Sequence, residues 1–515
     1  MINQQRFEIP LEQPPASEDW KARFMRWMHE IVLLEKLTSW QGKLLLFSIS
    51  AIVSLLIWKA GIVGGVLVLV IGIGLPAVYA IVVYPKIGII ITLCLAYSIM
   101  WFLRLGVPFP LGTVMDGIEL LLMIGFLIRI RDEKSWYLFQ NPVSYLVIIW
   151  IVYNILQIAN PTAESRLAWV YTIRSVAIVM LTYFIFTYYI RTVEFIRLII
   201  KIWIGFSTLA AAYAFKQEFF GFFPHEDRWL HSDPNIELLL FIDGHWRIFS
   251  IFSDPVAYSY NMVVSSTVCV VLATGNFLSF KKRMILLFLA GFMLFNMLFS
   301  GTRGAFVLPP AAIAFYFIMN FSRKVLIFGS IGLIGIIGLI FMPTSNGTIL
   351  RFQSAFRPND DPSYKVRKMN QKRIQPYILS HPMGGGLGAT GIWGQRFAPN
   401  SFLASFPPDS GYVRVAVELG WIGLFIFCTL MFLILRQGIM NYFKIRDPEL
   451  KAYCLAATLV VFCFNLGNFP QEALVQFPSN IYFYLVTALI IVTQRLDAEK
   501  QRTLAQHATA TTYSK

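Results

Sequence analysis

The sequence predicts an all-α, polytopic transmembrane helical bundle of about 12–14 spans, with one long periplasmic loop carrying short helices. Three observations predict it. Hydrophobic residues fill 57% of the 515 positions and charged residues only 14%, where a soluble domain carries roughly a quarter charged. Apolar runs near the roughly 20 residues that a bilayer demands recur along the chain. The short connections between them alternate between basic and nearly uncharged, the pattern of loops on the inner and outer sides of a membrane.

Residues 1–17 are polar and proline-containing, which suits disorder. Over 18–38, Trp20, Phe24, Trp27, Met28, Ile31 and Leu34 recur at helical spacing. That pattern fits an amphipathic helix lying on the inner leaflet, and equally a helix docked on another loop. The apolar runs then fall near 42–58, 61–83, 87–103, 111–129, 142–158, 167–190, 194–215, 248–273, 284–300, 304–320, 324–342, 411–435, 451–468 and 480–493. The chain divides accordingly. A cytoplasmic segment covers 1–41, and the first set of spans covers 42–342. The long loop is 343–410, the last spans lie in 411–493, and a cytoplasmic tail covers 494–515.

With the N-terminus inside, the inner loops hold Arg129, Arg131 and Lys134, then Lys281, Lys282 and Arg283, then Arg436, Lys444, Arg446 and Lys451. The short outer loops hold far fewer, among them Lys59, Arg104 and Arg166. Both termini are then cytoplasmic. No cleavable signal peptide is expected, since no small-residue cleavage site precedes a short apolar core. The net charge of +15 lies in these clusters, a topology signal rather than a nucleic-acid face. The five cysteines lie in or beside apolar runs, so neither a metal site nor a disulfide is expected. No internal repeat of the transporter kind is visible.

The loop 343–410 is the longest polar stretch, and connections this long usually carry function. Arg351, Arg357, Lys365, Arg367, Lys368, Lys372, Arg373 and Arg396 are opposed only by Asp360, Asp361 and Asp409. A cationic loop held against a membrane suits an anionic substrate such as a phosphate-bearing lipid. Within it, 362–378 reads as a helix, and Gly384–Gly388 as a tight turn rather than a nucleotide fingerprint. Two further polar segments fall on the same side: 217–247 and Phe299–Ala305. Arg303, with no acidic neighbour between two apolar runs, is a functional candidate, or else a snorkelling anchor. Arg247 precedes Ser253-Asp254-Pro255, where the proline is expected to open a span. Its partner is Asp254 or a phosphate. His225-Glu226-Asp227 and His231 fit no standard zinc spacing and read as an ordinary polar loop.

These residues resemble the O-antigen ligase and O-antigen polymerase family of bacterial membrane proteins. Arg247 with Phe252-Ser253-Asp254-Pro255 resembles its Arg…Phe-x-(Asn/Asp)-Pro element. Ser300-Gly301-Thr302-Arg303-Gly304 is similar to its (Ser/Thr)-x-(Ser/Thr)-Arg-Gly element. His381-Pro382…Gly385-Gly386-Leu387-Gly388, then Asp409-Ser410-Gly411-Tyr412, then Glu418-Leu419-Gly420-Trp421-Ile422-Gly423 resemble its outer-loop motifs. The resemblance covers about 230–435. One departure is that Asp409 stands where the family has a histidine.

The resemblance implies a glycosyltransferase of the bacterial inner membrane, working without metal or cofactor on an undecaprenyl-diphosphate-linked glycan at the periplasmic face. The acceptor is a glycan in a polymerase, or a lipid or protein in a ligase. A polysaccharide chain-length regulator is a further partner it admits, and no nucleic acid is implied. Arg247 and Arg303, with Arg367 and Arg373 as helpers, would hold the diphosphate. Asp409 or His381 would deprotonate the acceptor hydroxyl. A lipid-linked sugar transporter and a non-catalytic assembly partner are the alternatives. Arg174, the clearest mid-span charge, speaks for the transporter.

Overall fold

The computed structural model describes residues 39–513, apart from 107–110, 175, 177, 178, 243, 322, 346 and 358–361. The amphipathic stretch 18–38 lies outside the described residues. Among the described residues, ten helices are long and apolar enough to cross a membrane, and three shorter apolar helices join them. Strand is limited to a hairpin that pairs Phe241–Ile242 with His245–Trp246. The protein is an all-α polytopic bundle. It splits into two compact units, 1–79 and 80–515.

The runs 42–58 and 61–83 fall within Trp40–Val83 on either side of a kink, where Gly61 takes a positive φ of 57°. The run 167–190 is divided in the second unit, into Arg166–Ile173 and Val179–Tyr189. Arg174 lies in this break and pairs with Asp116 at 3.0 Å.

Burial separates the centre of the second unit from its rim. In Pro255–Thr274, 89% of the most apolar window is buried inside the protein, against 28% in Phe280–Ser300. The sequence explains the difference. Small and hydroxylated residues let helix backbones approach closely and cross-bond. Ser265 on the central helix bonds Ser207 at 2.8 Å, which bonds Tyr97 at 2.7 Å. Asn261 donates to Ser479 Oγ at 3.0 Å. The rim helix instead presents Phe288, Ile285 and Phe295 outward, as a lipid-facing surface does.

Several helices start in the same way. Asn141, Asp233, Asp254 and Asp447 each cap a helix whose next residue is proline. The carboxylate or amide accepts the first free N–H groups, and proline has no N–H to satisfy there. This corrects one expectation. Pro255 does not open a span that began at 248; the span begins at Pro255, with Asp254 as its cap.

Among the described residues, the long loop holds three helices, Gly347–Ser354, Pro362–Ser380 and Gly391–Phe397. The helix Pro362–Ser380 packs Ile374 with Leu403, Phe406 and Val417, which fastens it to the first turns of Gly411–Lys444. Loops that the sequence puts on one side of the membrane touch one another, and so do those it puts on the other. Asn160 reaches Gly384, and Ser253 reaches Gln476. At the opposite end, Arg197 reaches Glu449 and Lys500 reaches Asp447.

Candidate functional site

The segment before Pro255 runs beside the turn at Ser300–Arg303. The Ile248 N–H donates to the Phe299 carbonyl at 3.1 Å. From here Arg247 sends Nε to the Ser300 carbonyl at 2.9 Å, Nη2 to Thr302 Oγ1 at 3.1 Å and Nη1 to the Leu239 carbonyl at 3.4 Å. Thr302 Oγ1 in turn donates to the Pro255 carbonyl at 3.2 Å. The guanidinium is therefore oriented by carbonyls and a hydroxyl. Asp254, its expected acidic partner, accepts instead from Val256 N at 2.8 Å, Ala257 N at 3.0 Å and Ser253 Oγ at 2.8 Å.

More arginines gather on this turn. Arg351, from the helix Gly347–Ser354, lies across Gly301, where a β-carbon would meet the guanidinium carbon at 3.2 Å. Gly301 has a φ of +59° and leaves the room that Arg351 occupies. Burial and then Arg351 lower the pKa of Arg247 to about 10, with Arg303 adding to them and Asp254 opposing. Like charges this close lower one another's affinity for protons, and an anion between them would reverse the effect. Arg303 opens the short helix Arg303–Phe306. Arg367 is within electrostatic range of Tyr260, whose hydroxyl lies where a Gly304 side chain would have to go, 2.9 Å from that β-carbon position.

The structure thus brings together Arg247, Arg303 and Arg351, sets Arg367 within electrostatic range of Tyr260 at the edge of this turn, and leaves Arg373 apart. Arg373 sits 5.2 Å over the Phe402 ring, on an exposed side of its helix. Such a contact suits a surface cation rather than one aimed at a ligand.

A set of acids surrounds a half-buried arginine nearby. Arg414 pairs with Glu472 at 2.7 Å and Glu418 at 3.2 Å. Glu418 also accepts from Gly388 N at 3.1 Å and Thr390 N at 3.3 Å. The glycine turn is clamped here. Gly385 N donates to the Val417 carbonyl and Gly386 N to the Glu418 carbonyl, both at 2.9 Å. A β-carbon on Gly384 would lie 2.3 Å from Gly420 N, and one on Gly420 would lie 2.0 Å from the Pro382 carbonyl oxygen. The two glycine motifs are thus one contact, in which neither backbone leaves room for a side chain. Asn160 and Thr162 close it from the third side, through the Gly384 carbonyl.

Asp409 is half-buried and accepts from Asn370 Nδ2 at 3.4 Å. Asn370 is one turn along its helix from Arg367, so the two share a face. Burial raises the pKa of Glu472 and Arg414 lowers it, with Glu418 and then Asp409 adding to the rise; the net direction is up. His381 is elsewhere. Its Nδ1 lies 2.9 Å from the Tyr377 carbonyl, and its ring stacks on Tyr377 at 4.0 Å. Along the helix it is roughly 21 Å from Arg367, at about 1.5 Å per residue. Among the described residues, no three His, Cys, Asp or Glu side chains are grouped to hold a metal ion.

Sequence reasoning missed two residues here. Arg351 was one of eight basic residues in the loop, and nothing in its own surroundings marks it. Glu472 had a visible signal: the polar stretch 468–478 between the last two spans falls on the same side as the other three segments.

Residues 288–428 match the family model described as O-Antigen ligase. The match holds Arg303, Arg351, Arg367, His381, Asp409 and Glu418, and leaves Arg247 and Glu472 outside. No curated protein matches the chain.

Proposed function

We propose that this chain, whose residues 288–428 match the O-antigen ligase family, transfers glycan from an undecaprenyl-diphosphate carrier at the periplasmic face of the bacterial inner membrane. The match supports membrane glycan transfer of the ligase or polymerase type. The observation that carries the finer reading is the gathering of Arg247, Arg303 and Arg351 on one turn, with Arg367 close by.

The leaving group of such a transfer is a lipid diphosphate. As the sugar C1–O bond breaks, negative charge develops on the diphosphate oxygen. Guanidinium forks fixed beforehand stabilise that charge without reorganising, in a setting where bulk water screens little. Arg247 is held by three acceptors, so its fork is preorganised. Arg303 and Arg351 bear on the same spot, and Arg367 on the loop helix is within electrostatic range of Tyr260 beside it. The burial and the repulsion that lower the pKa of Arg247 are offset when the diphosphate enters.

The acceptor hydroxyl attacks C1 and loses its proton to a carboxylate. Asp409 has the better position of the two expected bases, because Asn370 connects it to the face that carries Arg367. Glu472 lies within electrostatic range of Asp409. Transfer in this reading needs no metal. Asp409 in place of histidine favours a polymerase, whose acceptor is a growing glycan, over a ligase.

The test is reconstitution of the full chain in vesicles with a lipid-diphosphate oligosaccharide. Release of the lipid diphosphate together with longer glycan is the expected result. Movement of intact lipid-linked glycan across the vesicle, with no glycosidic bond formed, would make the protein a transporter.

A further inference from the structure

A cavity of about 550 Å³ lies among four helix ends, on the side of the bundle that the sequence places inside. Thr274 closes Pro255–Thr274, and Asn320 follows Leu308–Met319. Arg323 opens Arg323–Phe341, and Lys451 sits in the first turn of Pro448–Gly467. All four residues line the cavity, whose size suffices for a small ligand. Pro255–Thr274 runs from the arginine cluster to this cavity, a length of roughly 30 Å at about 1.5 Å per residue.

The two cations on the wall differ from their neighbours. Arg197, Lys500 and Arg191 pair with carboxylates. Arg129, Arg495 and Arg283 reach backbone carbonyls. Arg323 and Lys451 have neither kind of partner among the described residues; Lys451 Nζ lies 4.8 Å over the Tyr442 ring, itself on the wall. Arg323 stands at the start of its helix, the pole that disfavours a cation. Neither side chain is sealed: Arg323 is exposed and Lys451 half-buried, so both can meet a ligand.

No Asp or Glu lines the cavity. The acids nearest to Lys451 in sequence are occupied, since Asp447 caps its helix and binds Lys500, and Glu449 binds Arg197. The remaining wall combines polar and apolar groups. The Tyr316 hydroxyl lies 2.6 Å from Thr274 Oγ1 and accepts from Asn320 Nδ2 at 3.2 Å, which fixes a hydroxyl and an amide there. Val271 and Leu455 add aliphatic surface. Cations, hydroxyls and amides beside aliphatic groups suit a phosphate carried on an apolar molecule. Basic pockets between transmembrane helices at the inner face hold lipid headgroups in this way.

We infer that this cavity binds a phosphate group through Arg323 and Lys451, and that an anionic lipid of the inner leaflet supplies it. The inference stands apart from the glycan-transfer reading, because the cavity lies at the far end of Pro255–Thr274 from the proposed diphosphate site.

The experiment uses the full chain purified in detergent, with native mass spectrometry to measure binding of phosphatidylglycerol and of diacylglycerol, which lacks the phosphate. Phosphatidylglycerol is expected to bind about tenfold tighter or more, the size of one or two charge-assisted hydrogen bonds. Arg323→Gln and Lys451→Gln should each weaken it several-fold. The double variant should bind both lipids alike, with unchanged thermal melting when no lipid is added. Lys451→Arg should keep the preference. Lys281→Gln alters an exposed inner-end cation that is not on the wall, and should keep it too. Equal affinity of the unaltered protein for the two lipids overturns the inference. So does a double variant that keeps the preference, or a Lys281→Gln that loses as much, since the lipid then follows the general basic surface. Inorganic phosphate separates the two sources. With a lipid as the ligand, millimolar phosphate leaves the melting temperature unchanged. Phosphate that raises it in the unaltered protein and not in the double variant keeps the site and overturns the lipid as its source.

Discussion

At one end of the bundle, Arg197 donates to both oxygens of Glu449, at 2.6 and 2.7 Å, and Lys500 meets Asp447 at 2.6 Å. Arg191 pairs with Glu133. Arg129 and Arg495 reach the carbonyls of Val83 and Ile190, at the ends of Trp40–Val83 and Val179–Tyr189. Those are the negative poles of helices. At the other end, Arg247 is fixed by turn carbonyls and a hydroxyl, and the charges nearest to it include Arg351 and Arg303. The first end pairs these cations with carboxylates and helix ends, and the second brings Arg247, Arg303 and Arg351 within electrostatic range of one another. The sum of basic residues does not reveal this. Both ends are rich in arginine, and they differ in what each arginine faces.

The strongest test of this contrast removes the proposed base. Asp409→Asn should lower transfer by about 10²–10⁴-fold while donor binding is nearly kept, because the amide keeps the shape and accepts no proton. His381→Ala should be mild, and Asp409→His should retain activity, since it restores the family residue. A dead His381→Ala beside an active Asp409→Asn would move the base to the other end of the loop helix. If both stay active, transfer runs on the arginines alone.

The next largest effect is at the cluster. Arg303→Lys should lose about tenfold or more in transfer with normal insertion, since lysine keeps the charge and loses the fork. Full polymer formation by this variant would reduce Arg303 to an anchor at the interface.

Glu472 gives a pH test. Its pKa is raised in the fold, chiefly by burial. A carboxyl group of this kind keeps its proton in the folded protein after the unfolded chain has released it. Stability therefore falls as pH rises from the ordinary carboxylate range to the raised value. Glu472→Gln should flatten that part of the melting-temperature profile. A profile as steep as that of the unaltered protein would assign the slope to other groups.

The smallest effect is expected at the neutralised end. Arg197→Ala breaks a pair with Glu449 in which Arg197 is 46% exposed. Exposed pairs are worth about 0–1 kcal/mol, and transfer should be unchanged. A drop in transfer comparable with that of Arg303→Lys would erase the contrast between the two ends.

The expectation that 343–410 faces the periplasm is tested by cysteine labelling after residues 345, 437 and 496. Labelling of the first site from the cytoplasm would put the arginine cluster on the wrong side for this donor.

The sequence by itself determined the class and most of the elements. Apolar runs of bilayer length leave the backbone no hydrogen-bond partner but itself, so they are helices wherever the chain folds. It also marked Arg303, because an arginine between two apolar runs is conspicuous without any partner in view. It misread Pro255 as a break within a span, since local composition does not separate an apolar coil from an apolar helix; the Asp-Pro pair at 254–255, repeated at 233–234 and 447–448, carried the right answer. Which arginines share a site was decided only by tertiary structure. Arg247, Arg303, Arg351 and Arg367 lie on separate segments spanning about 120 residues. The first three meet because Gly301 leaves space for Arg351 and Thr302 orients Arg247, while Arg367 is within range of Tyr260, whose hydroxyl closes on Gly304. The same holds for Arg373, equal to Arg367 in composition and turned instead toward Phe402. Hydrophobicity acts on each segment alone and is legible residue by residue. Charge acts between segments, so its meaning appears only once the chain has chosen which of them touch.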